Sequence, residues 1–217
     1  MARSSAARRM DDVSPEENLW SPTFSGGPPP PSAAPALSNA RLGLLMFLGA
    51  EAMFFAGLIG AFLVFRLGAE VWPPLDQPRL PVRVTGINTV ILLASGVTCY
   101  LALKAVRFGD MKGLLRWILT TVVLGTIFLT IQGYEWVRLV EYGLRVSSGT
   151  YGATFYTLIG FHGLHVFGAV IWLLVVQFQS RRGRFTPRNH AGVEICFMYW
   201  AFVVGLWPVL YGLVYLY

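Results

Sequence analysis

Residues 42–65 read LGLLMFLGAEAMFFAGLIGAFLVF, twenty-four residues in which Glu51 is the single charge. A helix of about 20 apolar residues crosses the roughly 30 Å hydrocarbon core of a bilayer. A run this long and this apolar reads as a membrane span, because a surface helix of a soluble domain keeps a polar face. Four more runs of the same kind lie outward from it, at about 86–106, 114–134, 154–178 and 193–215. Composition agrees: 55% of the 217 residues are hydrophobic and 13% are charged, about half the charged fraction usual in soluble domains. The chain is predicted to be all-α, a polytopic membrane bundle of five transmembrane helices.

Residues 1–40 differ from the rest, so two regions are predicted: a Pro-rich tail at 1–40 and a five-helix membrane domain at 41–217. Pro28, Pro29, Pro30 and Pro31 favour polyproline II, since each ring fixes φ and removes a donor. Arg3, Arg8 and Arg9 are followed at once by Asp11, Asp12, Glu16 and Glu17, with no apolar stretch between. That order argues against a signal or transit peptide. Such a composition reads as a flexible tail, with Leu19, Trp20 and Phe24 the residues that would pin it to a partner. Twelve Lys and Arg fall on the side shared by the tail and the second and fourth loops, against five on the other. The N-terminus is therefore expected to be cytoplasmic and the C-terminus external. Trp72, Trp117, Trp136, Tyr151 and Tyr217 stand near span ends, where aromatic rings meet lipid headgroups. The net charge of +6 does not point to nucleic acid, because the basic residues cluster between spans rather than along one face.

Polar groups inside the spans carry the chemistry. Cys99 and Cys196 lie in apolar runs and read as buried thiols. Three histidines, His162, His165 and His190, are too few to build a site that holds haem and copper through several imidazoles. Glu51 falls near the bilayer midplane, where a carboxylate is costly and faces the bundle interior or a partner. His162 and His165, at i and i+3, share a helix face at nearly the same depth. A hydrogen bond from Glu51 to His162 or His165 is expected. Three readings of the cluster stand open: a polar lock between helices, a proton relay or buffer, and a metal site, which lacks a third strong ligand. His190 reads as solvated. Glu194 opens the fifth span, where the helix dipole favours a carboxylate. Gln132 and Glu135 close the third span near the outer surface. Pro208 should kink or break the last helix, with Tyr211 and Tyr215 beyond it facing the outer interface. No Gly-rich phosphate loop or nucleophile elbow is present, so phosphoryl and hydrolytic chemistry is excluded.

Several blocks then resemble one family in its order. Leu45-Met46-Phe47-Leu48-Gly49-Ala50-Glu51-Ala52-Met53-Phe54-Phe55 resembles the Glu-bearing helix of haem-copper oxidase subunit III. Gly86 to Gly96, with Asn88, is similar to its L-N-T-x-x-L-L-x-S-G run, and Gly125, Phe128, Gln132 and Glu135 to its G-x-x-F-x-x-x-Q-x-x-E pattern. Gly160-Phe161-His162-Gly163-Leu164-His165-Val166 resembles its G-x-H-G-x-H-V signature, and Glu194, Tyr199, Trp200, Phe202, Val203 and Trp207 its closing run. Ala201 and Val204 stand where that run usually has His and Asp.

The resemblance implies the five-helix form of a subunit without redox centres, with no cofactor of its own and with haem and copper in partner subunits. It implies contact with oxidase subunit I, with subunit II and other subunits in the same complex, and with bound phospholipid. It also implies support of proton uptake and a multi-pass place in a bacterial inner membrane. The carried-over residues are Glu51, His162 and His165 as the interior cluster, with Asn88, Gln132, Glu135, Glu194, Tyr199 and Trp200 as structural members. Arg66, Trp72, Arg116 and Trp117 are expected lipid contacts, because basic and aromatic side chains at the interface recruit headgroups. Partnership with a quinol oxidase or nitric oxide reductase complex is the alternative. A stand-alone transporter would need a midplane substrate site from broken helices or repeated halves, and neither is evident.

Overall fold

The computed structural model describes residues 38–74 and 80–217. The tail and the docking reading of Leu19, Trp20 and Phe24 lie outside the described residues. Five helices follow in order: α1 (Asn39–Leu67), α2 (Val82–Arg107), α3 (Met111–Glu141), α4 (Thr150–Arg181) and α5 (Ala191–Tyr211). All five are long and apolar enough to cross a membrane. The described chain is thus an all-α polytopic bundle. Each helix outruns its predicted span by a few residues at one or both ends, because turns rich in Arg, Trp and Tyr continue the helix beyond the hydrocarbon zone.

Local chemistry sets the helix ends. Ser38 caps α1, its hydroxyl accepting from the Arg41 N–H at 3.3 Å. Between α2 and α3 the chain reverses within Phe108–Asp110, where Gly109 takes φ +78°, a conformation costly for other residues. Asp110 then caps α3 through the Gly113 N–H at 2.8 Å.

In lipid the backbone bonds of each helix are satisfied internally, and helices hold together by close packing and interhelical hydrogen bonds rather than by escape from water. The core runs through α2, α3, α4 and α5, with Trp200, Trp207, Phe128 and Phe155 fully buried. Gly125 of α3 marks a close approach between helices: Trp200 and Val170 fill the space a Cβ would need, the indole Cη2 only 2.7 Å from it. Helix α1 sits outside this core, leaning chiefly on α4 and α5 and burying only Leu44, Phe55 and Phe62.

In the last helix Pro208 makes no break and Tyr215 does not face the outer interface. The helix continues as α-helix through Pro208 to Tyr211, and its departure comes later, as a π-helical turn over Gly212–Leu216. A proline in a membrane helix is tolerated where neighbours and local register changes accommodate the freed carbonyl. Tyr215 turns inward rather than toward the outer interface, continuing the buried stripe of Val203, Trp207 and Leu210. It is 8% exposed and its hydroxyl accepts from Gln132 Nε2 at 3.2 Å. Tyr211 ties the α2 start, donating to the Val82 carbonyl at 3.1 Å.

Candidate functional site

Glu51 is the thirteenth of the 29 residues of α1, and His165 the sixteenth of the 32 of α4. Both therefore stand at the middle of membrane-length helices. The α1–α4 packing brings His165 Nε2 to 2.8 Å from Glu51 Oε2, with the side chains 15% and 17% exposed. The oxygen lies off the ring N–H axis, so this is a close electrostatic contact rather than a well-aligned hydrogen bond. Phe54 and Phe55 wall the pair, the Phe55 ring 5.1 Å from that of His165.

The other ring nitrogen fixes the proton count. His165 Nδ1 is 2.6 Å from the Phe161 carbonyl, and a carbonyl can only accept, so Nδ1 carries a proton. Lone pairs of an unprotonated Nε2 and a carboxylate oxygen repel at 2.8 Å, so a second proton on one of the two groups favours the contact. That proton rests on Glu51, giving a neutral acid and imidazole, or on His165, giving carboxylate and imidazolium. Either way the pair has no net charge, the arrangement a low-dielectric midplane favours.

His162 is brought elsewhere. Positions three apart on a helix diverge by about 60° around its axis, enough to turn this ring inward. It is 1% exposed and stacks on Trp207, with centroids 4.9 Å and planes 24° apart. Neither of its ring nitrogens has a hydrogen-bond partner among the described residues. Trp207 in turn donates from Nε1 to Thr89 Oγ1 at 2.8 Å and meets Phe128 edge-on at 5.1 Å.

The remaining sequence candidates occupy three places. In the interior, Asn88 Nδ2 donates to the Phe128 carbonyl at 3.0 Å, joining α2 to α3. Gln132 and Glu135 lie in the last third of α3 with their side chains buried against the bundle; Glu135 stands 3.7 Å from Arg138. Tyr199 packs its ring on Trp172 and Phe47, and Trp200 fills the notch at Gly125. At the end of the bundle that carries the α1 start, Glu194 is paired with Arg41 and, at 3.1 Å, with Arg107. Arg116 covers the Trp117 ring at that same end. At the opposite end, Arg66 and Trp72 line a 540 Å³ cleft with Leu80, Tyr151 and Tyr217. Arg66 lies over the Tyr217 ring at 4.5 Å, and Trp72 meets Tyr151 edge-on at 5.0 Å. Among the described residues, no group of three or more His, Cys, Asp or Glu side chains is placed to hold a metal ion.

Sequence reasoning missed the clamp at Glu194. One carboxylate joins the starts of α1 and α5 to the end of α2, and only the position of Glu194 in a first helical turn hinted at it. Glu194→Gln removes the charge that both guanidinium groups face. Those arginines are well exposed, so solvent limits the loss to about 1 kcal/mol. The expected result is a small fall in thermal stability, with easier proteolysis at the α1 start as the more sensitive readout. Unchanged cleavage there would show that the clamp does not hold α1.

Comparison with known proteins supplies the wider frame. Residues 33–217 match the family described as cytochrome c oxidase subunit III. A cytochrome c oxidase subunit 3 from Synechocystis is 39% identical over 175 residues, covering 80% of this chain and 74% of the relative. A probable cytochrome c oxidase subunit 3 from Nocardia farcinica is 37% identical, covering 80% and 86%. The cytochrome c oxidase subunit 3 of Papio hamadryas is 37% identical over 188 residues, covering 83% and 70%.

Proposed function

Because the chain belongs to the cytochrome c oxidase subunit III family, we propose that it supports a haem-copper oxidase through a proton-holding pair at the bilayer midplane. The family is that of a non-catalytic subunit of an oxidoreductase complex. In this reading the chain packs beside subunit I, in one complex with subunit II, whose haem and copper carry the electrons. It lies in a bacterial inner membrane with the more basic end cytoplasmic, and it carries phospholipid near Arg66 and Trp72 and near Arg116 and Trp117.

The observation that carries the reading is the Glu51–His165 contact. Desolvated carboxyl–imidazole pairs in membranes mark places where protons are held or passed. This pair keeps a proton without placing net charge in lipid. Its 15–17% exposure leaves a route to groups on a neighbouring subunit. His162, stacked and without a partner, stabilises the interior instead, and Asn88, Gln132, Glu135, Glu194, Tyr199 and Trp200 hold the helices in register.

Glu51→Ala in the intact complex tests this. Electron transfer should persist, because no redox centre is touched, and the complex should assemble or be mildly destabilised. Proton uptake during sustained turnover should slow, and Glu51→Gln should share the defect while keeping the packing. Complete loss of oxygen reduction in an assembled complex with an intact haem spectrum would contradict a supporting role. Wild-type proton uptake in both variants would assign the pair to packing alone.

A further inference from the structure

Between α2, α3 and α5 lies a second set of buried polar side chains, separate from the Glu51–His165 contact. Thr85 and Asn88, at i and i+3, share a face of α2 and are fully buried. Asn88 Nδ2 donates to the Phe128 carbonyl at 3.0 Å, which fixes the register of α2 against α3. The two helices pack along their length across a short reversal, so they run antiparallel. Thr85 and Gln132 therefore both stand about one turn beyond that bond, toward the end where α2 starts. Tyr215 reaches the same level, since Gln132 Nε2 donates to its hydroxyl at 3.2 Å.

Three buried polar atoms of this seam have no partner among the described residues: Thr85 Oγ1, Asn88 Oδ1 and Gln132 Oε1. Two of them are amide oxygens, which only accept and cannot satisfy one another. Thr85 departs from habit as well. A helical threonine commonly bonds the carbonyl four residues back, as Thr89 does to Thr85 at 2.8 Å, yet the Thr85 hydroxyl itself is left over. In hydrocarbon, polar groups of this kind are satisfied by neighbouring side chains or by ordered water. Water donates twice, which suits the amide oxygens, and bridges polar atoms about 5–6 Å apart, roughly one helical turn. The seam also has an entrance. Tyr215 lines the 540 Å³ cleft bordered by Arg66 and Trp72, so this one side chain links the cleft to Gln132.

We propose that this seam is a water-binding site inside the membrane domain: ordered waters held by Thr85 Oγ1, Asn88 Oδ1 and Gln132 Oε1 continue the cleft inward past Tyr215. Its inner end adjoins Thr89, which accepts from Trp207, the ring that stacks on His162. Hydration thus enters the core between α2, α3 and α5, apart from the α1–α4 contact of Glu51 and His165. The site stands or falls independently of that pair.

Cryo-electron microscopy of the intact complex, at a resolution that shows ordered water, tests this directly. Water density should lie within hydrogen-bond distance of at least two of the three atoms. A protein side chain or lipid headgroup in that place, or a seam with no density at all, would overturn the proposal. Hydroxyl-radical labelling by X-ray pulses gives a second readout, because radicals formed from bound water attack the side chains beside it. Tyr215 and Tyr199 are equally exposed, at 8%, and only Tyr215 borders the seam. Tyr215 should therefore be labelled several-fold faster than Tyr199. Thr85→Val and Gln132→Met, each close in size to the original, should lower Tyr215 labelling toward that of Tyr199. Equal labelling of the two tyrosines in the wild type would overturn the proposal. Undiminished labelling of Tyr215 in both variants would assign it to the cleft alone and would overturn it too.

Discussion

Gly125→Val is expected to destabilise the bundle by about 3 kcal/mol, near the upper end for overpacking a tight interior. A Cβ at this position would meet Trp200 Cη2 at 2.7 Å and Val170 Cγ2 at 3.1 Å. Both neighbours are buried, and a fully enclosed indole has no free rotamer to move into. Helix α3 must therefore back away from α4 and α5. The cost is felt in full because membrane helices are held by close contact rather than by a hydrophobic drive that a small gap would spare. The check is a heating series on detergent-solubilised complex, following how much of this chain stays bound. Gly125→Ala should show a smaller loss in the same direction. Wild-type retention of the valine variant would mean that the notch is not filled as described.

Trp207→Ala should cost about 3 kcal/mol, at the low end for removing a buried Trp, since lipid, unlike water, does not add a large transfer term. The indole holds four things at once. Its ring stacks on His162 and meets Phe128, its N–H donates to Thr89, and it approaches Tyr215 at 6.4 Å. Its removal leaves a cavity among α2, α3, α4 and α5 and frees the Thr89 hydroxyl from its cross-helix donor. Trp207→Phe should recover most of the packing and none of the hydrogen bond. The same heating series ranks them, with wild type above Phe and Phe above Ala. Equal stability of Phe and Ala would assign the effect to the hydrogen bond, and equal stability of all three would remove Trp207 from the core account.

Much of the fold was legible because the signal is one of length and polarity. Twenty or more apolar residues admit few folded outcomes in lipid, so all five helices follow from the runs at 42–65 through 193–215. Helix ends were less legible, because Arg, Trp and Tyr turns prolong a helix without prolonging its apolar run. The candidate site was legible in depth but not in rotation. Counting residues set Glu51, His162 and His165 at one level. Which imidazole meets the carboxylate depended on about 60° of helix rotation and on Trp207 occupying the side His162 faces. The Glu194 clamp joins residues 153 and 87 positions apart, and no local pattern encodes such a pairing. The π-helical turn over Gly212–Leu216 has a sequence, Gly-Leu-Val-Tyr-Leu, that carries no signal separating it from continued α-helix.

We propose that this chain serves a haem-copper oxidase whose metals are carried by its partner subunits. The most direct measurement isolates the tagged chain in mild detergent, records the reduced-minus-oxidised absorption spectrum and the metal content, and identifies every co-purifying subunit. The chain is then stripped from its partners and measured again. The account predicts haem absorption and copper in the complex, with both staying on the partner subunits after separation. Haem or copper retained by the separated chain, or gentle isolation of the chain with no haem-bearing partner, would contradict it.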